Sequence, residues 1–331
     1  MSATARDGRR APARVAFIGL GNMGIPMALA LRAAGFVPSC FDLSEAARER
    51  ATAQGLVVCA TLEEAAAGAP VGITMLPGSD AVSAVVHDRG LARLLAEGAV
   101  LIDMSSSEPL RTQALSEEIA RDGRRMLDAP VSGGVRGAES AALTIMVGGD
   151  PSTLDTVRPI LHTFGRVIHV GGIGAGHAIK ALNNLLSAAH LWATSEAVVA
   201  ARRFGIDAAI FLDVVNGSSG RSGSSEYKWP TFVLPGTYAS GFSLALMRKD
   251  LAIACRLAEA RNAPLDLGAA VAALFEQAGR DLPDDADHTE IARWLVQQAS
   301  SDTDPRAPST PDALGTGRPT RAEGSQGVTG S

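Results

Sequence analysis

"FIGLGNMGIPMA" (17–28) sets three glycines, Gly19, Gly21 and Gly24, directly after a short apolar run. Taken alone, G-x-G-x-x-G is equally a turn between any strand and any helix. After a strand and before a helix, each glycine gains a task. Gly19 makes the turn, Gly21 lets a pyrophosphate approach the backbone, and Gly24 lets the helix lie close to the sheet. The helix N-terminus adds N–H donors and partial positive charge. A carboxylate is then expected ~20 positions on, at the end of the second strand, and Asp42 of "CFDLSEAARER" stands there. It can accept hydrogen bonds from both adenosine ribose hydroxyls and repel a 2′-phosphate. No Arg follows at Leu43 or Ser44, which favours NAD, while Arg48 and Arg50 keep NADP open.

Two further groups could do chemistry. In "GAGHAIKALNNLL" (174–186), Lys180 and Asn184 are spaced i and i+4, with Ser187 at i+7, so the three share one helix face. A lone helical Lys is usually solvated. This one lies among Ala178, Ile179, Ala181 and Leu182, in a helix apolar nearly all round, where an ammonium needs a reason. In "LDAPVSGG" (127–134), Pro130 stiffens a strand exit, and Ser132, Gly133 and Gly134 offer a hydroxyl and unobstructed N–H groups. That set suits a carboxylate, and it equally suits a plain glycine-rich turn. "MLPGSD" (75–80) and "DMSSSEP" (103–109) end strands at the edge where ligands bind in such sheets, and "LMRKDLAIA" (246–254) puts Lys249 and Asp250 in a helix.

The elements that must position these residues alternate from Arg14 to about Gly172. Apolar runs at 14–19, 37–42, 71–76, 99–104, 124–130, 143–149 and 166–171 alternate with Ala-rich helical stretches such as 25–35, 44–55 and 110–123. Strands apolar on both faces, joined by helices, predict an α/β Rossmann-type doubly wound parallel sheet over 13–172. An all-α C-terminal domain over 173–300 is expected to follow. It starts with one long helix at 177–203 and continues with helices at 207–216, 242–261, 265–279 and 287–299. The Gly-, Ser- and Pro-rich insert 216–238 reads as a loop. A flexible N-terminus over 1–12 and a disordered tail over 301–331 complete the expected division. The tail has four prolines, five glycines and few large aliphatics to offset ordering entropy.

Composition removes several classes. The 331 residues are 46% hydrophobic and 20% charged, the balance of a globular protein. A net charge of −5 speaks against a nucleic-acid surface. No run of ~18 apolar residues could span a membrane, and residues 1–13 lack the apolar region of a secretory signal. Cys40, Cys59 and Cys255 are too widely spaced for a disulfide framework or a zinc knuckle, so free thiols in a reducing cytoplasm are expected. The six histidines form no metal-ligand cluster, and no metal is expected.

These motifs together resemble the β-hydroxyacid dehydrogenases, and within them the 3-hydroxyisobutyrate dehydrogenases. "FIGLGNMGIPMA" is similar to the family's N-terminal signature, "DAPVSGG" to its substrate motif, "GAG…K…NN" to its catalytic motif, and "SSGR", "GF" and "LMRKDLAIA" to its C-terminal segment. The resemblance covers roughly 13–300, in order and at the right spacing. It implies that Lys180 is the catalytic lysine and that Asn184 orients the substrate hydroxyl beside Asn183. It implies a carboxylate cradle at Ser132, Gly133 and Gly134. The cofactor would lie on Gly19, Leu20, Gly21, Asn22, Met23, Gly24 and Asp42, with further contacts at Leu76, Pro77 and Ser106 and closure by Lys249. The implied reaction interconverts a 3-hydroxy acid and its semialdehyde with NAD, or NADP, as hydride carrier.

The implied chemistry agrees with the residues. Oxidation removes the hydroxyl proton as hydride leaves. A free Lys, with pKa ~10.4, is too basic to be neutral at physiological pH unless burial and nearby positive charge lower that value. His177 and His190 lie near the motif and are expected to be polar filler. Other relatives of this architecture fit less well. 6-Phosphogluconate dehydrogenases carry an acidic residue where this chain has Ser187, imine reductases replace the lysine, and non-catalytic relatives lose it. Gly223 stands where 3-hydroxyisobutyrate dehydrogenases often carry a large aromatic, and Arg221 and Lys228 of the same insert could meet a second anionic group. A larger or more polar acid, or a sulfonate analogue, follows as an expectation. The long apolar helix needs more cover than one small domain gives, so a homodimer or homotetramer is expected.

Overall fold

The computed structural model of the chain describes residues 14–301. The flexible N-terminus expected over 1–12 lies outside them, as does the expected tail apart from Ser301, which ends the last helix.

Among the described residues nine strands form one sheet: β1 Arg14–Ile18, β2 Val37–Phe41, β3 Val57–Val58, β4 Val71–Thr74, β5 Val100–Asp103, β6 Arg125–Asp128, β7 Val131–Ser132, β8 Leu143–Gly148 and β9 Gly165–Gly171. The order β3-β2-β1-β4-β5-β6 is parallel throughout. Helices α1 Gly24–Ala33, α2 Glu45–Ala53, α3 Pro109–Arg121 and α4 Pro151–Leu161 cover its faces. Alternate residues of one strand enter opposite cores. Val15 and Phe17 join Met27, Leu31 and Leu154, while Ala16 and Ile18 join Leu101, Leu115 and Ile119. That two-sided burial is why these strands read as unbroken apolar runs.

The expectation of a fully parallel sheet needs one correction. β8 runs antiparallel to β6 and β7, and β9 then pairs parallel with β8. The physical reason is connection length. A parallel crossover takes roughly a dozen or more residues, whereas β7 reaches β8 through only the short helix Gly134–Glu139. β6 and β7 are one strand in register, with Asp128 opposite Gly148, Val131 opposite Ile145 and Ser132 opposite Thr144. Pro130, without an N–H, interrupts the ladder, although its carbonyl still accepts from Met146 N at 3.0 Å.

The remaining elements are helical. α5 Ala175–Phe204 is the long helix, followed by α6 Ala208–Asn216, α7 Ser224–Val233, α8 Leu244–Ala260, α9 Asp266–Ala278 and α10 Glu290–Ser301. Trp192 of α5 anchors this half, with ring centroids 5.7 Å from Phe275 and 5.9 Å from Trp294. The insert expected as a loop over 216–238 contains α7, a wide helix with i→i+5 geometry. Pro230 lacks an N–H and crowds the carbonyl one turn back, which opens the turn. Trp229, Phe232 and Val233 face inward and stabilise it despite the glycines and serines around them. Among the described residues no helix is long and apolar enough to cross a membrane.

Candidate active site

The glycine loop joins β1 to α1 at the carboxyl edge of the sheet. Gly19 has φ +107°, and a Cβ there would collide with the Met75 carbonyl. A Cβ at Gly24 would collide with the Gly19 carbonyl, so α1 can approach β1 only through glycine. Gly21 differs: it is exposed, and an added Cβ meets nothing of the protein within 4 Å. Turn, close packing and an open backbone face are the three things a dinucleotide pyrophosphate requires of such a loop. Asn22 is exposed and Met23 half-buried at the start of α1. Leu20 contributes backbone alone, because its side chain is fully buried and its N–H donates to Asp42 Oδ2 at 2.6 Å. Asp42 Oδ1 accepts from Ser44 N at 2.8 Å, and Arg48 Nη1 donates to the Asp42 carbonyl at 2.7 Å. The Asp42 carboxylate and the Arg48 guanidinium therefore stand side by side.

Leu76, Pro77 and Ser106 lie on two loops that one buried carboxylate locks together. Asp103, ending β5, accepts from Thr74 Oγ1 (2.9 Å), Ser105 N (3.0 Å) and Ser107 Oγ (2.8 Å). Ser105 Oγ accepts from Leu76 N at 2.9 Å, and Ser79 Oγ from Glu108 N at 2.7 Å. Lys249 crosses from α8 to this platform, its Nζ donating to the carbonyls of Pro77 and Ser106 at 2.7 Å each. Nothing in the spacing of "DMSSSEP" marked Asp103 as the lock. An acid among serines at a strand end was the available signal.

α5 is seated on the sheet by Asp128, whose carboxylate accepts from Gly174 N at 2.7 Å and His177 N at 2.8 Å. A Cβ at Gly176 would collide with the Met146 carbonyl, so this end of α5 touches β8. His177 is buried, bonded to Thr112 Oγ1 at 2.8 Å and 3.7 Å from Asp103. It joins the two halves of the molecule. His190 is exposed.

One turn into α5, Lys180 is half-buried and makes no hydrogen bond among the described residues. Burial pushes its pKa below the ordinary lysine value, the Asp250 carboxylate opposes that shift, and Lys249 adds to it. Asn184 is buried and donates to Asp250 Oδ2 at 2.6 Å. Asn183 is exposed, its Nδ2 3.3 Å from Asn184 Oδ1. Asp250 Oδ1 is buried without a hydrogen bond and lies 3.3 Å from Lys249 Nζ. Asp250 thus pairs with Lys249, holds the Asn184 amide and bears electrostatically on Lys180. The sequence showed it only as a neighbour of Lys249.

Ser132, Gly133 and Gly134 follow Asp128 on the same strand line, half-buried or exposed, with positive φ at Gly133 (+131°) and Gly134 (+62°). No hydrogen bond ties them to Lys180 or Asn184. Arg136, on the helix that starts at Gly134, donates to the Tyr227 hydroxyl at 3.1 Å and so links this loop to α7. A cavity of about 560 Å³, lined in part by Arg124, Met126, Asp150 and His169, lies at the start of β6 and contains none of these residues.

A family model described as the NAD binding domain of 6-phosphogluconate dehydrogenase matches residues 14–172. A second, described as NAD-binding of NADP-dependent 3-hydroxyisobutyrate dehydrogenase, matches 174–295. The 2-(hydroxymethyl)glutarate dehydrogenase of Eubacterium barkeri is 37% identical over 265 residues, 80% of this chain and 88% of its own. The chain belongs to the β-hydroxyacid dehydrogenase family. The mitochondrial 3-hydroxyisobutyrate dehydrogenase of Drosophila melanogaster is 40% identical over 264 residues, 77% of this chain and 80% of that one. A solved structure of Mycobacterium tuberculosis 3-hydroxyisobutyrate dehydrogenase with L-serine superposes with a TM-score of 0.80 at 36% identity. It covers 86% of this chain and 99% of that one. As a β-hydroxyacid dehydrogenase the protein is an NAD(P)-dependent oxidoreductase acting on CH–OH groups, with a mostly parallel sheet followed by an all-helical C-terminal region.

Proposed function

We propose that the protein interconverts a 3-hydroxy acid of the 3-hydroxyisobutyrate kind and its semialdehyde, with Lys180 as general acid and base. The observation that carries this reading is a half-buried lysine below its ordinary pKa, one helical turn from an asparagine anchored on Asp250. 3-Hydroxyisobutyrate and 2-(hydroxymethyl)glutarate, named for two relatives, share a CH2OH group on the carbon that bears the carboxylate. L-Serine has the same head.

A bound nicotinamide would supply the hydride acceptor for the oxidised carbon. The chain manages the rest. Neutral Lys180 takes the hydroxyl proton at Nζ, and in the reverse direction its ammonium donates to the developing alkoxide. Asn184, held by Asp250, orients the hydroxyl, with Asn183 beside it. Ser132 Oγ and the N–H groups of Gly133 and Gly134 hold the carboxylate. Gly19 to Gly24, Leu76, Pro77 and Ser106 seat the cofactor, and Lys249 fastens α8 over that platform and helps exclude water. Asp42 favours NAD, while Arg48 at the same corner leaves NADP a partner for its extra phosphate.

Glycerate, the reduced partner of tartronate semialdehyde, has the same head; threonate and a sulfonate analogue are alternatives whose hydroxymethyl group lies farther from the acid. A homodimer or homotetramer is supported by the outer side of α5. Ile179, Leu182 and Leu186 are 40%, 38% and 58% exposed there, although the sequence reads as a fully buried helix. Three free cysteines support a cytoplasmic location.

NADH formation at pH 8–9 from 3-hydroxyisobutyrate, glycerate, threonate, serine and dihydroxypropanesulfonate, with NADP as alternative cofactor and Lys180→Ala as control, tests the reading. Turnover of one acid that vanishes in the control is expected. Full turnover by Lys180→Ala would overturn the role of Lys180, and silence of the whole panel with NADH still bound would overturn the substrate class.

A further inference from the structure

α7 brings a second lysine to the reactive face of α5. Lys228 Nζ donates to Ser187 Oγ at 2.7 Å, and Ser187 stands seven residues, or ~10 Å of helix, beyond Lys180 on the same side. Among the described residues that is the only hydrogen bond of the Lys228 ammonium, and none of their carboxylates lies within ion-pair distance of it. The side chain is half-buried, and a cation withdrawn from water without a counter-ion is costly unless a ligand supplies one.

The charged groups around it do not fill that need. The negative charge of Asp287 acts on Lys228, but its oxygens already accept from Ser240 Oγ (2.8 Å), Gly241 N (2.8 Å), Thr289 N (3.0 Å) and Thr289 Oγ1 (2.6 Å). His288 is buried and held neutral, its pKa pushed down to about 3 by burial and by Lys228 itself. Lys180 repels it. Burial and that repulsion bring Lys228 down to about 8, with Asp287 opposing. Ser187 Oγ accepts from Lys228 and donates to nothing among the described residues, so its hydroxyl proton is available. Arg221, the other basic residue of the insert, is 61% exposed and turned to Glu226 at 3.7 Å, which removes it from consideration.

We propose that Lys228 and Ser187 form a subsite for a second acidic group, so that the preferred substrates are 3-hydroxy acids bearing a carboxylate or sulfonate on the branch beyond the reacting carbon. This rests on the 3-hydroxy-acid reading of the site. The substrate then spans two anion seats, the Ser132–Gly134 loop for one acid and Lys228 with Ser187 for the other, with Lys180 and Asn184 between.

Three acids that differ only in the branch test it: 3-hydroxyisobutyrate (methyl), 2-(hydroxymethyl)succinate and 2-(hydroxymethyl)glutarate. Wild type is expected to favour at least one diacid in kcat/KM by about tenfold or more, the size of one charge-assisted hydrogen bond. Lys228→Met should erase that preference through KM, and Lys228→Arg should restore part of it. The diacid-to-monoacid ratio should fall as pH rises through about 8 in wild type and stay flat in Lys228→Met. Because Lys180 acts on both acids alike, its titration cancels in the ratio. Calorimetry of 2-methylglutarate and isobutyrate with the NAD-saturated enzyme reads the subsite without turnover. The diacid should bind more tightly, and the advantage should vanish in Lys228→Met. Equal binding of the two acids, or an advantage that survives Lys228→Met, overturns the proposal. Lack of turnover with the binding advantage intact would overturn the 3-hydroxy-acid reading and leave the subsite standing.

Discussion

The glycine loop proposed to seat the cofactor and the side-chain cluster around Lys180 proposed to bind substrate are built by different means. Between Gly19 and Gly24 the work is done by backbone: a turn that only glycine can make, a close approach of helix to strand, and an exposed stretch at Gly21. Around Lys180 and Lys249 it is done by side chains that meet from distant parts of the chain. Asn184 and Asp250 are 66 residues apart, and Lys249 meets the Pro77 carbonyl across 172. A backbone site tolerates any neighbours that keep its φ, ψ angles. A side-chain site depends on every helix that holds its members, so its chemistry is easier to retune and easier to lose.

The largest expected effect falls on the substrate side. Lys180→Ala should lower kcat by ~10²–10⁴, the usual worth of a general acid or base, while fluorescence titration shows NADH binding retained. Loss of NADH binding as well would mean the two sides are not separable. On the cofactor side the glycines should split. Gly24→Ala forces a methyl against the Gly19 carbonyl and should cost ~1–3 kcal/mol in urea unfolding. Gly21→Ala should leave the urea midpoint near wild type and weaken NADH, because its Cβ meets only the space the cofactor would use. Equal destabilisation by both variants would refute the division of labour within the loop. The smallest effect is a shift in pH dependence. The Asp250 charge raises the Lys180 pKa, so Asp250→Asn, which keeps an acceptor for Asn184, should lower it further. Oxidation needs neutral Lys180, so the acid limb of kcat/KM should move by about one unit toward lower pH. A limb that stays put would mean another group controls it.

The motifs at 17–28, 127–134, 174–186 and 246–254 were legible because each is local: a few residues whose spacing already fixes a turn or a helix face. The strands were legible because both of their faces are buried. The reversal at β8 was not, since it follows from the shortness of one connection and leaves the apolar pattern unchanged. α7 was hidden by the glycines, serines and Pro230 around it, although Trp229, Phe232 and Val233 carried its helical spacing. Asp103, Asp128 and Asp250 were ordinary acids in the sequence. Their importance comes from the N–H and O–H groups that folding places against them.

By itself the sequence determined the glycine loop, the strand–helix alternation, the lysine within an apolar helix and the family these motifs belong to, because period and spacing are properties of adjacent residues. Only the tertiary structure decided which acids orient which amides, which of two basic residues in the insert turns inward, and that Lys228 stands without a counter-ion beside Ser187. Those are electrostatic facts set by burial and by partners far along the chain, and no local pattern encodes either.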